Sequence, residues 1–344
     1  MTTILPSPLG LLILTVLSMS LAACSQDSEY DLVIANGRVI DPETQLDAIR
    51  HLGIRDGSIS QISQQPLRGN KTIDASGLVV APGFIDIHSH TPTLLGQQVN
   101  LLDGITTQLE LEAGSFPVSF YGEHFRDGAQ INYGSSVGHW AVRTKVIEGV
   151  DMPYIFAGDK ILTMAGPTWM QAATAAQIEQ MRLLLNQGLD GGGLGIGVLL
   201  DYMTEAVSEA ELSMLFEVAS EREVPLFVHV RRGYTGDPAG LVEVIDLALE
   251  TGASLFVCHI THNAMGGIGD WLAMIDEANH AGANITTETL SYAAGGTSIS
   301  ADVFRRRDWQ AIFDISYQDV QWVATGEWLT KETWDKYAKE QPTG

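Results

Sequence analysis

The fold this 344-residue sequence predicts is a (β/α)8-type TIM barrel, incomplete by its final strand and preceded by a small β unit. Three observations predict it. From residue 83 on, apolar strand-like runs alternate with helical patterns at a beat of about thirty residues, one eighth of a typical barrel of this type. Chemistry-bearing side chains (His88, His90, Glu110, Glu112, His139, His229, His259 and Glu288) recur at or near the C-terminal ends of those strands, the face on which such barrels build their sites. No Gly-rich phosphate loop follows a first strand, which disfavours a doubly wound open sheet.

Taken in order, residues 1–23 carry no charged side chain, and Leu11 to Ala23 form an apolar segment too short to span a bilayer, as in a signal-peptide core. The segment ends Leu21-Ala22-Ala23-Cys24, which resembles the bacterial lipoprotein cleavage box. That resemblance implies a lipidated Cys24, a spacer over 24–29 and a place in the bacterial cell envelope, on the periplasmic side. It departs from the pattern in having no Lys or Arg before residue 11. Lipidation would leave Cys258 alone, without a disulfide partner, as a small buried hydrophobe.

Residues 30–80 read as a small antiparallel β-domain. Asn36-Gly37 and Asp56-Gly57, each between β-rich runs, predict hairpins. The unit is too thin to be stable alone. The barrel is expected over 81–344. Its strands fall near 84–90, 105–112, 131–138, 193–200, 225–230, 254–260 and 284–289. Between them, Thr174-Ala175-Ala176-Gln177 and Ser208-Glu209-Ala210-Glu211 carry the capping-box pattern, and Gly252 is placed to end the helix Leu241–Glu250. The apolar run Ala311–Ile315 is no convincing eighth strand.

Lys and Arg number 19 against 42 Asp and Glu, a net charge of −23. That excludes a nucleic-acid partner and a polybasic membrane patch; any membrane contact is through a lipid on Cys24. The acidity is spread along the chain and reads as solubility.

His88 and His90 end the first barrel strand. Side chains two apart on a strand share a face, so the two imidazoles form a ready pair of metal ligands. The same rule puts Glu110 and Glu112 together on the next strand, where buried carboxylates need charge or metal as partners. His229 and His259 stand one repeat apart, on neighbouring strands.

Pro82-Gly83-Phe84-Ile85-Asp86-Ile87-His88-Ser89-His90 resembles the signature of the amidohydrolase superfamily of metal-dependent hydrolases. Gly104-Ile105-Thr106-Thr107 and Val137-Gly138-His139 are similar to segments of its D-aminoacylase (N-acyl-D-amino-acid deacylase) branch. The resemblance covers residues 30 to 344. It implies that the N-terminal unit is half of a β-sandwich. It also implies one or two zinc ions on His88, His90, His229 and His259, with His262 as the competitor of His259. The branch's cysteine ligand is replaced here by Ala113, so Glu112, or failing it Glu110, is expected to take over that role. By the same resemblance Tyr292 polarises the scissile carbonyl and His139 stands at the site edge against substrate. Arg231, Arg232 and Arg143 are candidates for binding a substrate carboxylate, and nothing in the sequence ranks them.

The implied activity is hydrolysis of a C–N amide bond in a small-molecule N-acyl amino acid, with an N-acyl-D-amino acid such as N-acyl-D-glutamate as the expected substrate. A cyclic-amide or dipeptide hydrolase is the neighbouring alternative, although strand four lacks the lysine that bridges two metals in its carbamylated forms. The superfamily's catalytic aspartate at the end of strand eight is not found: no Gly-Ser-Asp follows residue 300, and Asp314 and Asp319 are poor substitutes. The chain is therefore expected to be a C-terminally incomplete fragment. If it is not, the second alternative is a catalytically dead, lipid-anchored binding protein.

Overall fold

The computed structural model describes residues 29–155, 164–290, 292–306 and 308–344. The leader and Cys24 lie outside the described residues. Between Pro82 and Gly83 the chain divides into two compact units.

In the first unit, β1 (Tyr30–Asp41), β2 (Leu46–Arg55), β3 (Ser58–Ser63), β4 (Gly69–Asp74) and β5 (Val79–Val80) form one sheet in the order β3-β2-β1-β4, with β5 also on β1. It is mixed rather than antiparallel, because β4 and β5 run parallel to β1. Asp56-Gly57 makes the expected tight turn between β2 and β3, with φ of 52° and 73°. Asn36-Gly37 does not make a hairpin. β1 runs straight through it, and the left-handed Asn36 (φ 63°) sits in a bulge between the pairs Ile34↔Leu52 and Gly37↔Arg50. A bulge and a tight turn both demand a residue tolerant of positive φ, so the dipeptide alone does not distinguish them.

The second unit is built on an open, curled sheet of seven parallel strands: β6 (Phe84–Asp86), β7 (Ile105–Ser115), β8 (Asn132–Gly138), β9 (Ile196–Leu199), β10 (Leu226–His229), β11 (Ser254–Val257) and β12 (Asn284–Thr287). Their spatial order follows the chain, leaving β6 and β12 as the two edges. Every neighbouring pair is parallel. Strands that neighbour in sequence order and are joined by helices curl into a barrel-like arc.

Alternation along the strands sorts their side chains. Leu226 and Val228 of β10, with Leu255 and Val257 of β11, join the main core under the helices, together with Leu215, Phe216, Val244 and Trp271. Phe227 and Cys258 pack on the other face with Leu111, beside Ile87, Leu109 and Phe256. This second cluster floors the site described below.

The helix Ala175–Asp190 starts with the full capping box of Thr174 and Gln177, and Gly252 ends the helix Ala239–Thr251 in the left-handed conformation. Ser208 caps the helix Glu209–Glu221, but only half of the expected box forms: the Ser208 hydroxyl accepts from the Glu211 amide, while the Glu211 carboxylate turns to other partners. The run Ala311–Ile315 is largely the short helix Trp309–Phe313, and not a strand.

β7 and β9 approach closely at the C-terminal end of the sheet. A Cβ on Gly197 would stand 2.3 Å from the Glu112 carbonyl oxygen, so only glycine fits where β9 passes the residue at the centre of the site.

Candidate metal centre

β6 delivers two histidines just past its end. Asp86 Oδ1 accepts from the His88 amide at 3.0 Å, and the Ser89 amide donates to Leu109 O at 3.0 Å, which ties the turn to β7. The neighbouring strand supplies Glu110 and Glu112, both buried. Strict alternation would give these two carboxylates the same surroundings. Instead, β7 loses register with β8 after the pair Glu110↔Ser135 and resumes only at Ser115↔Val137. The intervening residues leave the regular pleat, and the two carboxylates part.

Glu112 becomes the hub. Its Oε1 lies 2.9 Å from His229 Nδ1 and 2.6 Å from His259 Nε2. Its Oε2 lies 3.2 Å from both His88 Nε2 and His90 Nε2. His229 ends β10. His259, two residues past β11, takes a left-handed backbone (φ 31°), a conformation that costs a non-glycine residue about 1–3 kcal/mol and is held by its surroundings. That turn also starts the short helix Ile260–Ala264, which shortens the strand expected to reach residue 260.

A second layer of carboxylates faces the far nitrogens. Glu110 Oε2 accepts from His90 Nδ1 at 2.8 Å and from the Tyr154 hydroxyl. Glu288 accepts from His88 Nδ1. Asp201 Oδ2 stands 3.6 Å from His229 Nε2, beyond hydrogen-bond distance, so it opposes that nitrogen as a charge. Asp201 is otherwise held by Arg232 and Arg306. Burial raises its carboxyl, but His229 first, and then Arg232 and Arg306, outweigh that and pull it down to about 2.

The donor set fits a metal ion. With Nδ1–H of His88 given to Glu288 and Nδ1–H of His90 given to Glu110, both Nε2 lone pairs point inward, and these two acceptors are 3.1 Å apart. Two lone pairs at that distance repel unless a proton or a cation sits between them. The charge balance points the same way. Among the described residues no Lys or Arg pairs with Glu110, Glu112 or Glu288, so three carboxylates are set among imidazoles alone. Burial opposes charge on all these groups. Even so, the histidines hold the Glu112 carboxyl well below the usual range. Glu112 raises His88, and Glu110 and Glu112 hold His90 up at about 9, so a metal binding these two imidazoles would release protons. His259, buried and next to the other imidazoles, is pushed down to about 4, which keeps its lone pair free. Imidazole nitrogens and a carboxylate are donors that zinc accepts.

The other residues singled out in the sequence do not face Glu112 in any described contact. His262 stands beside His259, ring centroids 5.4 Å apart, and it is His259 that faces Glu112. His139 has no exposed surface and bonds Glu211 at 2.8 Å, so it has no exposed atom with which to meet a substrate; the carboxylate left over from the capping box holds it in place. Arg143 joins the same buried network, donating to Glu211, Thr168 O and Gln171 O. Arg231 is engaged by Glu243 and by the Thr204 and Val207 carbonyls. Tyr292 is 72 % exposed, away from the buried setting expected of an oxyanion donor.

Asp201 and Tyr202 were not singled out in the sequence, although they stand two and three residues past β9 and the strand-end rule applied to the histidines also covers them. The Tyr202 ring stands edge-on to His229, centroids 5.1 Å apart, and its hydroxyl lies 3.0 Å from that of Thr297. Burial, and then the Glu112 charge, push its phenol upward, so it remains a proton donor.

Residues 71–153 match the model of the amidohydrolase family. The chain is 28% identical over 291 residues to an N-acyl-D-glutamate deacylase of Alcaligenes xylosoxydans xylosoxydans, covering 78% of this chain and 58% of that protein. It is 24% identical over 315 residues to a D-aminoacylase of the same organism, covering 81% of this chain and 60% of the relative. Among solved structures it is similar to the N-acyl-D-glutamate deacylase of Bordetella bronchiseptica complexed with zinc and a phosphonate mimic of the tetrahedral intermediate. That match has a TM-score of 0.57 and 26% identity, over 76% of this chain and 59% of the other. The chain thus spans less than two thirds of the length of each of these relatives.

Proposed function

We propose that this chain, which belongs to the D-aminoacylase branch of the amidohydrolase superfamily, is a zinc-dependent hydrolase of N-acyl-D-amino acids, with N-acyl-D-glutamate the first substrate to try. The observation that carries the proposal is the convergence of four histidines on Glu112.

His88 and His90 through Nε2, His229 through Nδ1, His259 through Nε2 and the Glu112 carboxylate would hold the metal. A bound divalent ion lowers the pKa of a water toward neutrality and polarises a carbonyl as a Lewis acid. The protein's own groups do the rest. Tyr202, whose ring stands edge-on to His229, would donate to an oxyanion as it develops, a role for which the exposed Tyr292 is less suited. The apolar floor of Leu111, Phe227 and Cys258 keeps water from the inner side of the histidines and strengthens each charge contact above it.

The test is hydrolysis by the full chain, freed of metal and then supplied with zinc, of paired N-acetyl-D- and N-acetyl-L-amino acids. Zinc-dependent turnover of the D series alone is the expected result. Turnover of neither series, with zinc bound, would contradict the proposal. For the leader, the proposal is lipidation at Cys24 and anchoring in the cell envelope, supported by the Leu21-Ala22-Ala23-Cys24 box. Metabolic labelling with a fatty acid should mark the protein, and a label that survives Cys24→Ser would refute it.

A further inference from the structure

His88 and Glu288 are 200 positions apart in the chain and belong to opposite edges of the open sheet. His88 lies just past β6 and Glu288 just past β12. No backbone pairing joins these two edge strands, so among the described contacts the His88–Glu288 bond is a direct polar tie between the edges at the mouth of the arc. Glu288 is itself fixed. Its Oε1 also faces the His259 amide at 3.3 Å, and its carbonyl accepts from the Ile260 amide at 3.0 Å. One carboxylate oxygen therefore touches the ring of one inward-facing histidine and the backbone of another, the one whose φ is 31°.

We propose that Glu288 is a positioning residue of the metal centre. By holding Nδ1–H of His88 it sets that ring's tautomer, aims the Nε2 lone pair at the ion, and fixes the His88 ring relative to His259. The proposal rests on the metal assignment above. Its physical basis is general: a ligating imidazole whose far N–H is held by a carboxylate is oriented, locked in one tautomer and made more basic. Cys258 sharpens the question, because its thiol lies with His88 and Glu288 in a group whose donor atoms are all within 4.8 Å of one another and could take an ion of their own. Two features favour positioning over ligation. The thiol is buried on the apolar floor with Leu111 and Phe227, and His88 Nδ1 is already engaged by Glu288.

The experiment compares the full-length parent with Glu288→Ala, Glu288→Gln and Cys258→Ser, with two readouts. Zinc affinity is measured by competition with a chromophoric chelator, and the His88 tautomer by long-range 1H–15N spectra of the metal-free protein. Glu288→Ala should weaken zinc by about 10- to 100-fold and release the His88 ring from its Nδ1–H form. Glu288→Gln, which keeps a carbonyl acceptor, should keep the tautomer and recover most of the affinity.

Parent-like affinity in Glu288→Ala, with zinc bound tightly by the parent, would overturn the positioning role and leave the metal assignment standing. Loss of a whole equivalent of zinc in both Glu288→Ala and Cys258→Ser would overturn it in another way, by making these two residues ligands. A parent that takes up no zinc removes the metal assignment and this proposal with it. If Glu288→Ala does not fold, an Nε2–H tautomer of His88 in the parent still overturns the proposal.

Discussion

Glu112→Gln is expected to cut zinc affinity by well over about 100-fold and to remove zinc-dependent hydrolysis. Groups one layer outside a metal already cost 10- to 100-fold when mutated, and Glu112 is the group on which the four histidines converge. An amide keeps the shape but loses the charge, and it turns an NH2 toward imidazole nitrogens that must offer lone pairs. The comparison with Glu110→Gln makes the prediction specific. Glu110 faces the far nitrogen of His90, the Tyr154 hydroxyl and the Ala113 amide, all outside the ligand set, so its loss should fall within the 10- to 100-fold range and leave zinc bound. Chelator competition and turnover on the same samples check both variants. Equal effects would mean that the two carboxylates share the ion.

Arg143→Met is expected to cost about 3–5 kcal/mol of stability, read from urea unfolding. The arginine lies fully buried and donates to Glu211 and to the Thr168 and Gln171 carbonyls; removing it leaves a buried carboxylate with His139 as its remaining described ion-pair partner. Arg143→Lys should rescue little, because one ammonium cannot reproduce a planar fork that reaches several acceptors at once. The double replacement Arg143→Met with Glu211→Leu should be far milder than Arg143→Met alone, since burying no charge costs less than burying one unpaired. A single replacement as mild as the double would show that the pair contributes nothing.

The arc of strands and the histidines at its mouth were legible in the sequence because each is a local signal repeated along the chain. Apolar runs of strand length recur between helical patterns, and the polar residues fall at the same end of successive strands. What was not legible depended on partners distant in sequence. Glu211 reads as half of a capping box, yet its carboxylate satisfies a buried arginine 68 positions away. Asn36-Gly37 carries the hairpin signal and occupies a bulge, because positive φ is the same demand in both settings. Glu110 and Glu112 look equivalent by alternation, and only the break in register of β7 against β8 separates the central carboxylate from the outer one. Tyr202 falls just past β9, within reach of the strand-end rule, but its standing comes from the His229 ring beside it.

The central claim is that four histidines and Glu112 surround one metal centre. Anomalous scattering at the zinc edge, from crystals of the full chain grown with zinc, tests it most directly. The predicted result is a peak about 2.0–2.1 Å from His88 Nε2, His90 Nε2, His229 Nδ1 or His259 Nε2, with Glu112 in its coordination shell and Glu288 still on His88 Nδ1. Zinc bound elsewhere, with Glu112 left hydrogen-bonded among four metal-free imidazoles, would contradict the account.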